Sequence, residues 1–99
     1  MELVGGEEPR LDEAAVATVV DCRGLLCAQC ILRLMRTMLG VPASGVVKVI
    51  SSDPAAEHDY PAWCRNTGNR FLGHRHEPDP RWGALMVSFI RKRADQSPS

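Results

Sequence analysis

The chain has no net charge to offer a polyanion: twelve lysines and arginines are balanced by twelve aspartates and glutamates over 99 residues. Binding to nucleic acid or to an anionic lipid surface relies on clustered cations, so the balance argues against both. No apolar run approaches the ~20 residues that cross a bilayer. The segment Met1 to Pro9 holds three glutamates and two glycines in place of the basic and apolar regions of a secretory leader. No internal repeat is present, and the length suits one small domain with one core and room for one site. These absences lead us to expect a cytoplasmic protein whose partner is another protein or a small molecule, with no direct nucleic-acid contact and no membrane association.

What the chain does have is cysteine, at positions 22, 27, 30 and 64. Without a secretory leader, reduced thiols are expected rather than two disulfides. Residues 1–12 are acidic and bear glycine and proline, and 94–99 are polar; both read as flexible tails flanking a domain over 13–93.

Within that domain, β-branched Val16, Thr18, Val19 and Val20 predict a first strand leading to Asp21. Gly24 and Leu25 turn the chain. From Ala28 to Leu39, Ile31, Leu34, Met35 and Met38 recur at helical spacing opposite Gln29, Arg33, Arg36 and Thr37, and Gly40 stops the helix. Val46 to Ile50 reads as a second strand between turn-rich flanks. A second helix carries Tyr60, Trp63, Cys64 and Thr67 on one face. Asp53 with Pro54, or Asp59 with Pro61, can begin it; Pro61 favours the later start. Strands over 70–76 and 84–91, separated by Glu77-Pro78-Asp79-Pro80, complete the order βαβαββ. Because a strand-helix-strand crossover is right-handed, both helices most economically cover one face of a four-stranded sheet, giving a two-layer α/β sandwich.

The chemistry concentrates in Cys27-Ala28-Gln29-Cys30, at the start of the first helix. Unpaired backbone N–H groups and the positive end of the helix dipole favour a thiolate there, and Arg23, Arg33 and Arg36 add cations nearby. Cys30 lies about one turn on, within reach of a disulfide to Cys27 as in thioredoxin-type pairs, so a dithiol redox module using Cys27 and Cys30 is one reading of the motif. Cys22-x4-Cys27-x2-Cys30 with a distant Cys64 also matches the ligand spacing of plant-type ferredoxins, making iron–sulfur or zinc binding a further alternative. Against it, Cys22 ends a strand, and Cys64 is more simply a core residue. His74 and His76 should face the same side of their strand and would bind metal only with converging ligands. Asp53 reads as a helix cap and Trp63 as core. The arginines around the thiol suit docking of an acidic partner.

Asp21-x-Arg23-Gly24-Leu25-x-Cys27 resembles the signature that opens the TusA (SirA-like) sulfur-carrier family. Ser52-Asp53-Pro54-Ala55 followed by Asp59-Tyr60-Pro61-Ala62-Trp63-Cys64 is similar to that family's second helix, and Phe89-Ile90-Arg91-Lys92 to its last strand. The resemblance covers about residues 19 to 92. It departs at the family's usual Cys-Pro-x-Pro, with Ala28 and Cys30 where the prolines would stand. It implies a mixed four-stranded sheet with the nucleophile at the tip of the first helix. It further implies a sulfurtransferase-type relay of persulfide sulfur on Cys27, from a cysteine desulfurase or rhodanese-like donor to an acceptor protein, with no cofactor. Arg23, Gly24, Arg33 and Arg36 are the expected partner-binding residues. Cys30 is then the second expected reactive thiol, placed to attack the inner sulfur of a Cys27 persulfide and expel hydrosulfide.

Overall fold

The computed structural model describes residues 16–93; the expected tails, and residues 13–15 of the expected domain, lie outside the described residues. Six elements follow in order: β1 (Val16–Cys22), α1 (Cys27–Leu39), β2 (Val46–Ser51), α2 (Ala56–Thr67), β3 (Arg70–Asp79) and β4 (Gly83–Arg91). The sheet order is β1-β2-β4-β3. β1 runs parallel to β2, and β4 is antiparallel to both β2 and β3. The order is the βαβαββ that the sequence pattern predicts, and the sheet is mixed, as the family resemblance implies.

Alternation along β1 turns Val20 and Cys22 into the core and leaves Val19 and Asp21 exposed. Both helices pack on that inward face. Leu34 and Met38 of α1, and Ala56, Tyr60 and Cys64 of α2, share one core with Val20, Val47, Val49, Met86 and Ile90 of the sheet. On the opposite face, Val46, Val87 and Phe89 form a smaller cluster, with the Arg75 guanidinium 5.3 Å from the Phe89 ring centre.

Three details differ from the sequence expectations. The buried stripe of α1 runs through Cys27, Cys30, Leu34 and Met38, whereas Met35 is 49% exposed. The helix is thus rotated so that both its cysteines face the sheet. Second, α2 begins at Ala56, not at Asp59 and Pro61. Asp53 starts the turn: its backbone carbonyl accepts from Ala56 N–H at 3.0 Å and its Oδ1 from Ala55 N–H at 3.0 Å. Pro61 therefore sits inside the helix, where its missing N–H leaves the carbonyl four residues earlier without that partner. Third, β3 continues through Pro78 to Asp79. It is the last strand in the sheet order, where a proline costs no ladder bond if its nitrogen faces outward. The turn that follows is held by Asp79 Oδ1, which accepts from Arg81 N–H and Trp82 N–H.

Candidate functional site

Cys27 is the first residue of α1, and three elements converge on it. Its backbone N–H donates to Asp53 Oδ2 at 2.8 Å, while the preceding Leu26 N–H donates to Gln29 Oε1 at 2.9 Å. Asp53, expected as a helix cap, lies two residues before the N-cap Ala55 of α2: one carboxylate oxygen closes the turn into α2 and the other takes the first N–H of α1. Gly24, at φ +84°, makes the turn between β1 and α1, and its N–H is fixed by Ser52 Oγ at 2.8 Å. A Cβ there would meet the Trp82 ring at 3.4 Å. Glycine at 24 thus serves backbone geometry and close approach.

The electrostatics of Cys27 differ from those expected of a helix tip. Burial is the largest influence: the residue is only 4% exposed. Burial, a hydrogen bond to Asp59 and the negative charges of Asp59 and Asp53 push its thiol up to about 12. The Tyr60 hydroxyl works the other way by hydrogen bonding to the sulfur. Two of the expected cations, Arg23 and Arg33, are engaged with Asp21. Arg23 Nη2 lies 2.6 Å from Asp21 Oδ2, and this hydrogen bond holds the Asp21 carboxyl below its ordinary range. Arg33 Nη1 donates to the Asp21 carbonyl at 3.1 Å. Asp53 sits on the very helix end whose positive potential was to favour a thiolate. The resting thiol is therefore protonated at neutral pH.

The cysteine pairing also differs from expectation. Cys30 is bonded to Cys22, across a Cα–Cα distance of 5.5 Å, and both are fully buried. Cys27 and Cys64 are the free cysteines. Cys22 ends β1 on its inward face, directly beneath the first turn of α1, so it reaches Cys30 from the sheet. The Tyr60 hydroxyl donates to Cys30 Sγ at 2.7 Å. It therefore lies within hydrogen-bonding reach of the sulfurs of both Cys27 and Cys30. Cys64 lies in the core, its thiol likewise raised to about 12 by burial.

The ferredoxin-like spacing is absorbed by this arrangement, since two of its thiols are joined to each other. The His74 and His76 rings do share a side, 5.8 Å apart. Among the described residues, no three His, Cys, Asp or Glu side chains are grouped to hold a metal ion. Asp59 and Tyr60 are the site residues that sequence reasoning missed, because both belong to α2 and meet Cys27 only through the tertiary fold.

Arg33 and Arg36 flank an open groove on the outer side of α1 with Leu25, Gln29, Leu32 and Thr37. Arg23 and Arg33 also border a second cleft with Asp21, Asp79, Arg81 and Trp82. Leu26, just before α1, and Leu32, Met35 and Leu39 within it are exposed.

The sequence model of one family, described as Sulfurtransferase TusA, matches residues 18–88. The chain belongs to the TusA family. Among curated relatives it is 31% identical over 85 residues to the "Sulfur carrier protein TusA" of Pseudomonas syringae pv. tomato, covering 86% of this chain and 95% of the relative. It is 33% identical over 76 residues to the protein of the same name from Pseudomonas entomophila, covering 77% and 89%. Membership of this family favours sulfur carriage over the Cys27–Cys30 redox and metal-binding alternatives. No helix of the described residues is long and apolar enough to cross a membrane.

Proposed function

We propose that this TusA-family sulfur carrier holds its cargo on Cys27, as a persulfide received from one protein and passed to another. The observation that carries this assignment is that Cys27 is the free thiol at the tip of α1, where backbone, Asp53, Asp59 and Tyr60 meet. In loading, the Cys27 sulfur attacks the outer sulfur of a donor persulfide, the donor thiolate departs and Cys27–S–SH remains. Asp59, which accepts the thiol's hydrogen bond, is placed to take the proton as the new bond forms. A buried, protonated thiol keeps the resting carrier inert toward stray electrophiles; docking of the donor must expose and activate it.

The donor is a cysteine desulfurase or a rhodanese-like protein, and the acceptor is a further protein of the same pathway, all in the cytoplasm. Arg33 and Arg36, with exposed Leu32 and Met35 between and beside them on α1, suit an acidic partner surface with apolar patches. Arg23 contributes from the turn, and Gly24 shapes it. Incubating the reduced chain with a persulfide donor tests the assignment by intact mass. Wild type should gain one sulfur on the Cys27 peptide, and Cys27→Ser should gain none there. Loading at Cys64 in place of Cys27 would overturn it.

A further inference from the structure

The cysteine pairing gives Cys22 and Cys30 a chemistry of their own. Cys30 follows Cys27 by one helical turn on the same buried face of α1, and its sulfur shares the Tyr60 hydroxyl with that of Cys27. Cys22 is already close enough to Cys30 to bond to it. The three sulfurs therefore form a chain, from the free thiol through Cys30 to Cys22, enclosed by the core. We propose that Cys22 and Cys30, when reduced, discharge the Cys27 persulfide as hydrosulfide and close to the disulfide observed. This rests on Cys27 carrying the persulfide, and it adds a reductive sulfide-releasing activity to the relay.

Two exchanges accomplish it. The Cys30 sulfur attacks the outer sulfur of Cys27–S–SH, the persulfide bond breaks, and the Cys30 proton passes to the departing Cys27 sulfur; the cargo is now Cys30–S–SH. The Cys22 sulfur then attacks the inner sulfur of that persulfide, its proton passing to the departing sulfur. The Cys22–Cys30 bond forms, and hydrosulfide leaves with the bonding electron pair. The sulfane sulfur has gained two electrons, the two thiols have lost two, and their two protons account for the Cys27 thiol balance and for hydrogen sulfide. No outside oxidant takes part. A dithiol reductant is needed only afterwards, to reopen the disulfide for another cycle.

The geometry favours this order over closure between Cys27 and Cys30. The observed bond joins the strand to the helix, leaving Cys27 free to be reloaded. The Tyr60 hydrogen bond stabilises charge on the Cys30 sulfur, the atom that attacks first and is attacked second. Confinement makes both steps effectively intramolecular.

The full chain, reduced with a phosphine and desalted without air, would be loaded with glutathione persulfide. Wild type should first gain one sulfur on Cys27, then release one equivalent of sulfide and finish two hydrogens lighter than the reduced protein, with Cys22 and Cys30 joined in the peptide map. Cys22→Ser should retain the added sulfur at least tenfold longer, and Cys30→Ser should hold it on Cys27. Failure to load Cys27 at all would sink the carrier assignment itself. Loading followed by persistence of the persulfide in reduced wild type, or a Cys27–Cys30 bond as the end product, would overturn the discharge step and leave Cys22–Cys30 as a structural crosslink. The mass and sulfide readings on wild type decide the matter even if a serine variant fails to fold.

Discussion

At the scale of single residues, the site depends on a competition at Cys27 that position along the helix does not settle. A helix N-terminus contributes only a partial positive charge, and here Asp53 already occupies it. Burial and the Asp59 carboxylate act on the same thiol in the opposite direction and win, raising it to about 12. Alkylation of Cys27 by iodoacetamide should accordingly be slow at pH 7 and keep climbing beyond pH 9, measured with Cys22–Cys30 intact and Cys64 replaced by alanine. Asp59→Asn removes the hydrogen-bond acceptor's charge and should speed the reaction at neutral pH, by about tenfold for each pKa unit relieved. A rate that levels off near pH 7 in wild type would contradict the burial argument. The sequence made the thiol's place in the chain legible, through Cys27 at the opening of an apolar-periodic segment. It gave no access to Asp59, thirty-two residues later, because nothing in the periodicity of either helix says which turn of one meets which turn of the other.

At the scale of elements, boundaries were harder to read than existence. Each strand and helix was visible as a change of hydrophobic period, but Pro61 suggested a helix start that the Asp53 turn pre-empts. The α1 stripe differs from the expected one for a related reason: Met35 is apolar by type yet exposed, whereas Cys27 and Cys30 carry reactive thiols and still belong to the core. Inward alternation of β1 would have placed Cys22 below α1, yet the eight-residue separation from Cys30 does not by itself reveal a bond. The end of α1 is fastened by a residue outside it. Lys92 Nζ donates to the Met38 carbonyl at 2.8 Å, which also accepts from Val41 N–H at 3.1 Å, and to the Val41 carbonyl at 2.7 Å, so one ammonium ties the helix end to the turn that follows it. Lys92→Met keeps the aliphatic stem and removes both bonds. It should lower stability by about 1–3 kcal/mol, the usual range for charge-assisted bonds to partly buried carbonyls. A urea midpoint unchanged from wild type would show that water replaces the ammonium at no cost.

At the scale of the whole molecule, the zero net charge and the two-layer fold put the protein's pH response in its buried core rather than in its surface field. Cys27 and Cys64 ordinarily ionise near 9.0 but are held protonated to about 12 in the folded chain. Burial also raises Tyr60 above its ordinary 10.0. The folded pKa exceeds the unfolded one in each case, so between these limits the unfolded state binds fewer protons and stability falls as pH rises. The two thiols' contribution is complete below about pH 9 and is lost as pH climbs through about 12, whereas that of Tyr60 begins to fall only above its ordinary 10.0. Each thiol adds at most ~1.4 kcal/mol per pH unit within the window. The urea midpoint should therefore hold steady from pH 7 to about 8.5 and decline from pH 9 upward. Cys64→Ala removes one of the linked protons and should make that decline shallower, whatever it does to the midpoint at pH 7. A midpoint independent of pH up to 11 would mean that both thiols reach solvent in the folded state, and the enclosed sulfur chain from Cys27 to Cys22 would lose the confinement on which its chemistry depends.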